Sequence, residues 1–219
     1  MRLLVTRPLP GGATTAMRLR ALGHEVILSP LMASEAVAWT LPSRLPPAVM
    51  LTSAFAARLA GPTAAALHSL PVFAVGAATA RAAIEVGFVD VRDGGGTAQA
   101  LVDSVAALGL TEILHLAGED RTPVVLPAGL LPITRTVYRA RLLPLQALPL
   151  VDWALLYSPR SAGHFAAEAD RIGIERSTIG VAAISAAALA AAGDGWRETA
   201  LPASPTESAL LAAIGISCQ

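Results

Sequence analysis

Short apolar runs alternate along the chain with longer stretches in which alanine and leucine recur at helical spacing. The pattern predicts strands at Leu3–Thr6, Glu25–Leu28, Ala48–Leu51, Val72–Val75 and Val89–Val91, and again at Ile113–Leu116, Ile133–Tyr138, Trp153–Tyr157, Ile179–Ile184 and Glu198–Ala200. Helices are predicted to follow from Gly12, Ala54, Ala77, Thr97, Pro123, Ser161, Ala186 and Pro205. Short strands alternating with helices define βαβ units and a parallel sheet. The strands run into Thr, Ser or Gly, residue types that cap a helix and leave its first N–H groups directed outward.

The pattern also repeats. VMLTSAFAARLA at 49–60 matches ALLYSPRSAGHFA at 154–166, VFAVGAATARAA at 72–83 matches VAAISAAALAAA at 181–192, and GGTAQALVDSV at 95–105 matches SPTESALLAAI at 204–214. Each half therefore holds three comparable βα units in the same order. The first half continues with ILHLAGED at 113–120, its helix, and the strand ITRTVYRA at 133–140. The second half has no such continuation, but LLVTRP, a helix and EVILSP near the N-terminus have the right size to supply it. The expected fold is α/β: two doubly wound parallel-sheet domains, one inserted into the other and joined by a two-stranded crossover. Residues 1–32 with 143–219 form the discontinuous domain and 36–138 the inserted one, with crossovers near 29–35 and 138–144.

Composition narrows the chemistry. Of 219 residues, 54% are hydrophobic and 15% charged, a core-rich balance at odds with disorder. All 16 basic residues are arginine, so a Schiff-base lysine, a Walker-type lysine and a lysine general base are excluded. A formal net charge of zero argues against nucleic-acid and anionic-membrane partners. The single cysteine, Cys218, allows no intramolecular disulfide. The apolar stretch before Thr6 is shorter than the roughly 7–15 residues of a secretory core. The expectation is a cytoplasmic protein.

Two facing sheets of this kind make a cleft lined by strand ends and helix N-termini, which bind anions through free N–H groups without lysine. His24, His68, His115 and His164 share no metal-ligand spacing, and there is no HExxH, CxxC or GxSxG. His115 alternates with apolar neighbours and reads as a core or edge position, and Glu119-Asp120 as a solvated pair. Neither Gly94-Gly95-Gly96 nor Gly76-Ala77-Ala78 has the GxGxxG spacing of a dinucleotide site. Tyr138, in the basic stretch from Arg135 to Arg141 on the crossover, is the candidate proton donor, with guanidinium charge nearby to tune it. The competing role is a hinge tyrosine that packs.

VTRP, the GHEV strand, LTSAFAA, VFAVGAATA, the TAQALV segment, LHLAGEDR, VYRA and PTESALLAAI, taken in order, resemble uroporphyrinogen-III synthase over nearly the whole chain. The resemblance implies an enzyme that closes the linear tetrapyrrole hydroxymethylbilane with inversion of the D ring and loss of water, needing no metal or organic cofactor. It implies catalysis by Tyr138 and substrate binding by Thr6, Arg7, Ser53, Gly76, Ala77, Thr79, Gly118, Ser158, Arg160, Ser161 and Ser185. The expected partner is this small polycarboxylate, and the expected state a monomer. The chain departs from the family pattern at Ala186-Ala187-Ala188, where hydroxyl residues are common, and at Ala54-Phe55, where Pro-Arg is often seen. The alternative is a non-catalytic two-domain binder of an acidic small molecule, which shares the architecture.

Overall fold

A computed structural model describes residues 1–121, 123–146 and 150–217. The chain divides into two compact units, Met1–Ala33 with Arg141–Gln219, and Ser34–Ala140. In chain order the elements begin with β1 (Arg2–Val5), α1 (Gly11–Ala21), β2 (Glu25–Leu28) and β3 (Met32–Ala36). The middle of the chain holds β4 (Val49–Leu51), α2 (Ala54–Leu59), β5 (Val72–Ala74), α3 (Ala77–Glu85), β6 (Val91–Asp93), α4 (Ala98–Ala107), β7 (Glu112–Gly118) and β8 (Leu131–Leu142). Then come β9 (Trp153–Leu156), α5 (Pro159–Arg171), β10 (Gly180–Ala183), α6 (Ala186–Ala192), β11 (Glu198–Ala200) and α7 (Glu207–Ala212).

The first unit is a five-stranded sheet in the order β11-β10-β9-β1-β2. Its pairings are parallel, with Leu4 opposite both Ile27 and Ala154. The N-terminal strands thus complete the sheet begun by the C-terminal part of the chain. Side chains alternate across each strand: Leu4 packs on one face with Phe165 and Trp196 of the α5–α6 side, and Leu3 and Val5 pack on the other with Leu210 and Leu211 of α7. Phe165 and Trp196 stack at 5.2 Å. Small residues let α5 and α6 close up, to the point that a Cβ on Gly163 would lie 3.4 Å from Ala191 O. The chain after β8 is fastened to α5. His164 Nε2 donates to Leu143 O at 2.7 Å, and the Glu168 carboxylate accepts from Leu145 N at 2.7 Å and from Arg171. The Arg171 hydrogen bonds hold the Glu168 carboxyl down at about 2, helped by the Leu145 N–H.

The second unit is a six-stranded sheet in the order β3-β8-β7-β4-β5-β6. Val49, Leu51, Leu114 and Leu116 face α2 and α3, while Met50, Phe73 and Ile113 face α4. Both sheets carry helices on both faces, the doubly wound α/β class that the alternating pattern predicts. The repeat survives as matched caps. Ser53 and Ser158 cap α2 and α5, and Thr97 and Thr206 cap α4 and α7, each side chain accepting a backbone N–H.

Two expectations fail. No helix follows from Pro123: residues 123–130 form loop and turn. Pro127 lies one helical turn after Pro123 and lacks the N–H an interior position needs, and Gly129 at φ +86° ends the stretch. The strand expected at Val89–Val91 is instead Val91–Asp93, because pairing with β5 sets Val91 opposite Val72 and leaves Val89 83% exposed. Cys218 lies outside the described residues.

Candidate active site

The C-terminal ends of β4 and β7, where parallel strands open toward solvent, meet β8 around a hollow of about 190 Å3. Its walls include Thr52 and Ser53 from the end of β4, His115 and Gly118 from β7, Asp120 and Arg121 from the loop beyond, and Tyr138 from β8. Ser53 has extended backbone, and its Oγ accepts the Phe55 N–H at 3.2 Å, so it caps α2 at the rim.

Tyr138 sits where the β7–β8 ladder slips. Thr136 pairs with Ala117, but Gly118 pairs with Tyr138, with a register irregularity between. A Cβ at position 118 would lie 2.6 Å from Tyr138 Cζ, so only glycine admits the phenol there. The ring also approaches Phe55 at 5.9 Å between centroids, and Tyr138 O accepts the Glu119 N–H at 2.9 Å. The arginines of the same strand have other partners. Arg139 Nε pairs with Glu35 at 2.6 Å, and Arg135 Nε donates to Thr40 O at 3.0 Å.

His115 reads from its sequence neighbours as a core position, and it is 8% exposed. It is also a wall of the hollow, sharing a 3.1 Å hydrogen bond with Thr52 Oγ1 through Nε2. Burial, with the Arg121 charge as second cause, lowers its pKa to about 4, so the ring is neutral at neutral pH. The signal for this role lies across the sheet: β4 runs beside β7 with Met50 opposite His115, which carries Thr52 past the imidazole. Among the described residues no three His, Cys, Asp or Glu side chains form a group able to hold a metal ion.

The other expected residues of this unit do not line the hollow. Gly76 is the N-cap of α3 and Ala77 its first residue. Thr79 is 5% exposed, with its N–H bonded to Gly76 O at 2.9 Å.

In the first unit, Thr6 is fully buried and its hydroxyl donates to Leu155 O at 2.6 Å, stitching β1 to β9. Arg7 pairs with Glu207 at 2.8 Å and lies over the Tyr157 ring. Ser158 caps α5 by accepting Ser161 N, and the two hydroxyls lie 2.9 Å apart; Arg160 is exposed in the same first turn. Ser185 caps α6 through Ala188 N at 3.2 Å. Ser158 and Ser185 thus each satisfy a backbone N–H, while the Ser161 hydroxyl donates to Ser158 O at 3.1 Å.

The buried Tyr157 hydroxyl faces the Thr15 hydroxyl with geometry that falls short of a full hydrogen bond, and among the described residues neither has another partner. Burial first, and Glu207 second, push the phenol well above its ordinary pKa. An unsatisfied buried hydroxyl costs about 1–3 kcal/mol. Tyr157→Phe is therefore expected to leave stability unchanged or raise it by up to about 1 kcal/mol in urea denaturation. A clear loss would show that the hydroxyl has a partner in solution.

The family model described as Uroporphyrinogen-III synthase HemD matches residues 13–212. Among solved structures, uroporphyrinogen-III synthetase from Helicobacter pylori is similar with a TM-score of 0.59 and 14% identity, covering 97% of each chain. A mutant uroporphyrinogen III synthase from Thermus thermophilus gives a TM-score of 0.49 and 18% identity, covering 98% of this chain and 96% of that one. No curated protein matches at a significant level. The Helicobacter likeness speaks for the fold; the family match spans the β4–β7–β8 hollow and every expected residue except Thr6 and Arg7.

Proposed function

The chain belongs to the uroporphyrinogen-III synthase family, cyclising lyases of tetrapyrrole biosynthesis, and on that premise we propose that the hollow at Tyr138 is where its hydroxymethylbilane substrate loses water. In this reading the Tyr138 phenol donates its proton to the terminal hydroxyl as the C–O bond breaks and water departs. Departure of water leaves a cationic azafulvenium. The substituted α-carbon of ring D attacks it to give a spiro intermediate. The older bond from that carbon to the methylene of ring C then breaks, and the free α-carbon of ring D bonds that methylene, so that the ring is inverted. The phenolate recovers a proton when the last pyrrole regains aromaticity, so the sum is loss of one water. The supporting observation is the bulge at Gly118, which alone admits the phenol to a hollow beside a capped helix start.

No other strong acid or base is needed. Neutral His115 and Thr52 offer hydrogen bonds without charge, and Ser53 keeps the start of α2 in place. Carboxylates of the substrate would be met by N–H groups at a helix start, and the start of α3 at Gly76–Ala77 belongs to the unit that holds the hollow. Much of the acceleration then comes from holding a reactive chain in the conformation that closes with inversion. The proposal extends to a monomer acting in the cytoplasm without nucleic-acid or membrane partners. The zero net charge speaks against nucleic-acid and anionic-membrane partners, and no helix among the described residues is long and apolar enough to cross a membrane.

The deciding experiment adds the protein to freshly generated hydroxymethylbilane and separates the oxidised porphyrin isomers by chromatography. A shift from the type I to the type III isomer is expected. An unchanged isomer ratio overturns the enzyme, and tight binding without turnover would favour the binder.

A further inference from the structure

A second hollow, of about 300 Å3, adjoins the first and shares Met50, His115, Arg121 and Val124 with it. The loop after β7, broken by Pro123 and Pro127, runs past the strand ends and contributes Pro123, Val124 and Leu126 to the wall. The loop is held in place by a side-chain clamp: Gln99 Oε1 accepts Val125 N at 2.9 Å, and Gln99 Nε2 donates to Val125 O at 2.8 Å. Pro132 and Thr134 of β8 close the other side.

The charge balance of the two hollows differs. The first has Asp120 beside Arg121 on its wall; the second has Arg121 as its one charged lining residue among the described residues. Many arginines of this chain hold a carboxylate, as Arg58 holds Glu85 and Arg139 holds Glu35. Arg121 instead donates Nη1 to Gly118 O at 3.2 Å, and among the described residues no carboxylate pairs with it. One hydrogen bond to a carbonyl leaves most of the five guanidinium N–H groups for a ligand, in the fork geometry that fits a carboxylate. The remaining polar groups, His115 and Thr134, carry no formal negative charge, and Met50, Val124 and Leu126 suit the methylenes of an acid arm.

We propose that this second hollow is a carboxylate subsite, in which Arg121 grips one acid side chain of the pyrrole whose ring occupies the Tyr138 hollow. The proposal rests on the tetrapyrrole reading for its substrate class. It gives Arg121 a binding role separate from the proton transfer at Tyr138, which fixes the pyrrole's orientation through its arm.

The test titrates the full-length protein calorimetrically with a monopyrrole bearing one acetate and one propionate arm, and with the dimethyl ester of that pyrrole. The acid is expected to bind at least fivefold more tightly than the ester. Arg121→Gln should remove that difference, and Arg121→Lys should restore part of it as a point charge without the fork. With hydroxymethylbilane, Arg121→Gln should raise KM about fivefold and leave kcat within twofold, the sign of lost uniform binding. Equal binding of acid and ester by the wild-type protein overturns the subsite even if a variant fails to fold. So does unchanged acid binding in a folded Arg121→Gln protein. An unshifted isomer ratio with the wild-type protein would defeat the enzyme reading, and acid-against-ester binding would still decide the subsite.

Discussion

Replacing Tyr138 by phenylalanine is expected to slow turnover of hydroxymethylbilane at least tenfold, a barrier increase of roughly 1.4 kcal/mol. The substitution removes one oxygen and keeps the ring. Contact with Phe55, the close approach to Gly118 and the backbone bond to Glu119 are all retained. A change in rate therefore reports on the hydroxyl and not on the fold. Since the proton moves only as the C–O bond breaks, the loss should fall on kcat, with KM little altered. Turnover should not vanish, because the conformation imposed on the bound chain survives the substitution. Steady-state kinetics on a folded Tyr138→Phe protein decide the matter, and wild-type rates would reassign the tyrosine to packing at the bulge.

The reading of Tyr138 from sequence depended on its place near the end of a crossover strand, which the apolar pattern reveals. The bonding partners of its guanidinium neighbours were not legible. Arg135 and Arg139 lie within three positions of Tyr138 in sequence but bond to Thr40 O and Glu35, partners some hundred residues away that no local pattern names. The doubly wound sheets were legible because strands and caps repeat. Ser53 with Ser158, and Thr97 with Thr206, occupy the same turn of equivalent units and do the same capping. The pairing of β1 with β9 was legible by subtraction, since the second set of repeats lacked the strands that the first set had.

What escaped were features set by neighbours across the sheet. The stretch after Asp120 has enough apolar residues for a helix, but two prolines four positions apart make a loop whose path only the Gln99 clamp reveals. That loop creates the second hollow. His115 has Leu114 and Leu116 beside it and reads as core, which its burial bears out. Its functional surroundings come from Thr52 on one neighbouring strand and Arg121 on the loop, at separations that sequence periodicity cannot connect.

The same burial makes His115 the residue with the largest expected effect on stability. An exposed histidine in the unfolded chain titrates near pH 6.5, whereas in the fold the His115 pKa is lowered to about 4 by burial and then by Arg121. Between these values the unfolded chain binds a proton that the folded chain does not. Stability from this group is therefore intact above the unfolded pKa and falls as pH drops from about 6.5 to about 4. Below about 4 both states are protonated and the loss levels off. At about 1.4 kcal/mol per pH unit the full loss is on the order of 3 kcal/mol, a large part of the 5–15 kcal/mol that holds a typical protein folded. Carboxylates held low, such as Glu168 at about 2, start to cost stability only below about pH 4.5, so they overlap little with this window. The measurement is urea denaturation of the wild-type and His115→Gln proteins from pH 7.5 to pH 4. The difference between the two curves should slope through pH 6.5 to 4 and be flat above it. A difference independent of pH would mean that His115 has the same pKa folded and unfolded, and a slope of the opposite sign would mean that the fold favours the imidazolium, making the Thr52–His115 pair beside Tyr138 a charged one.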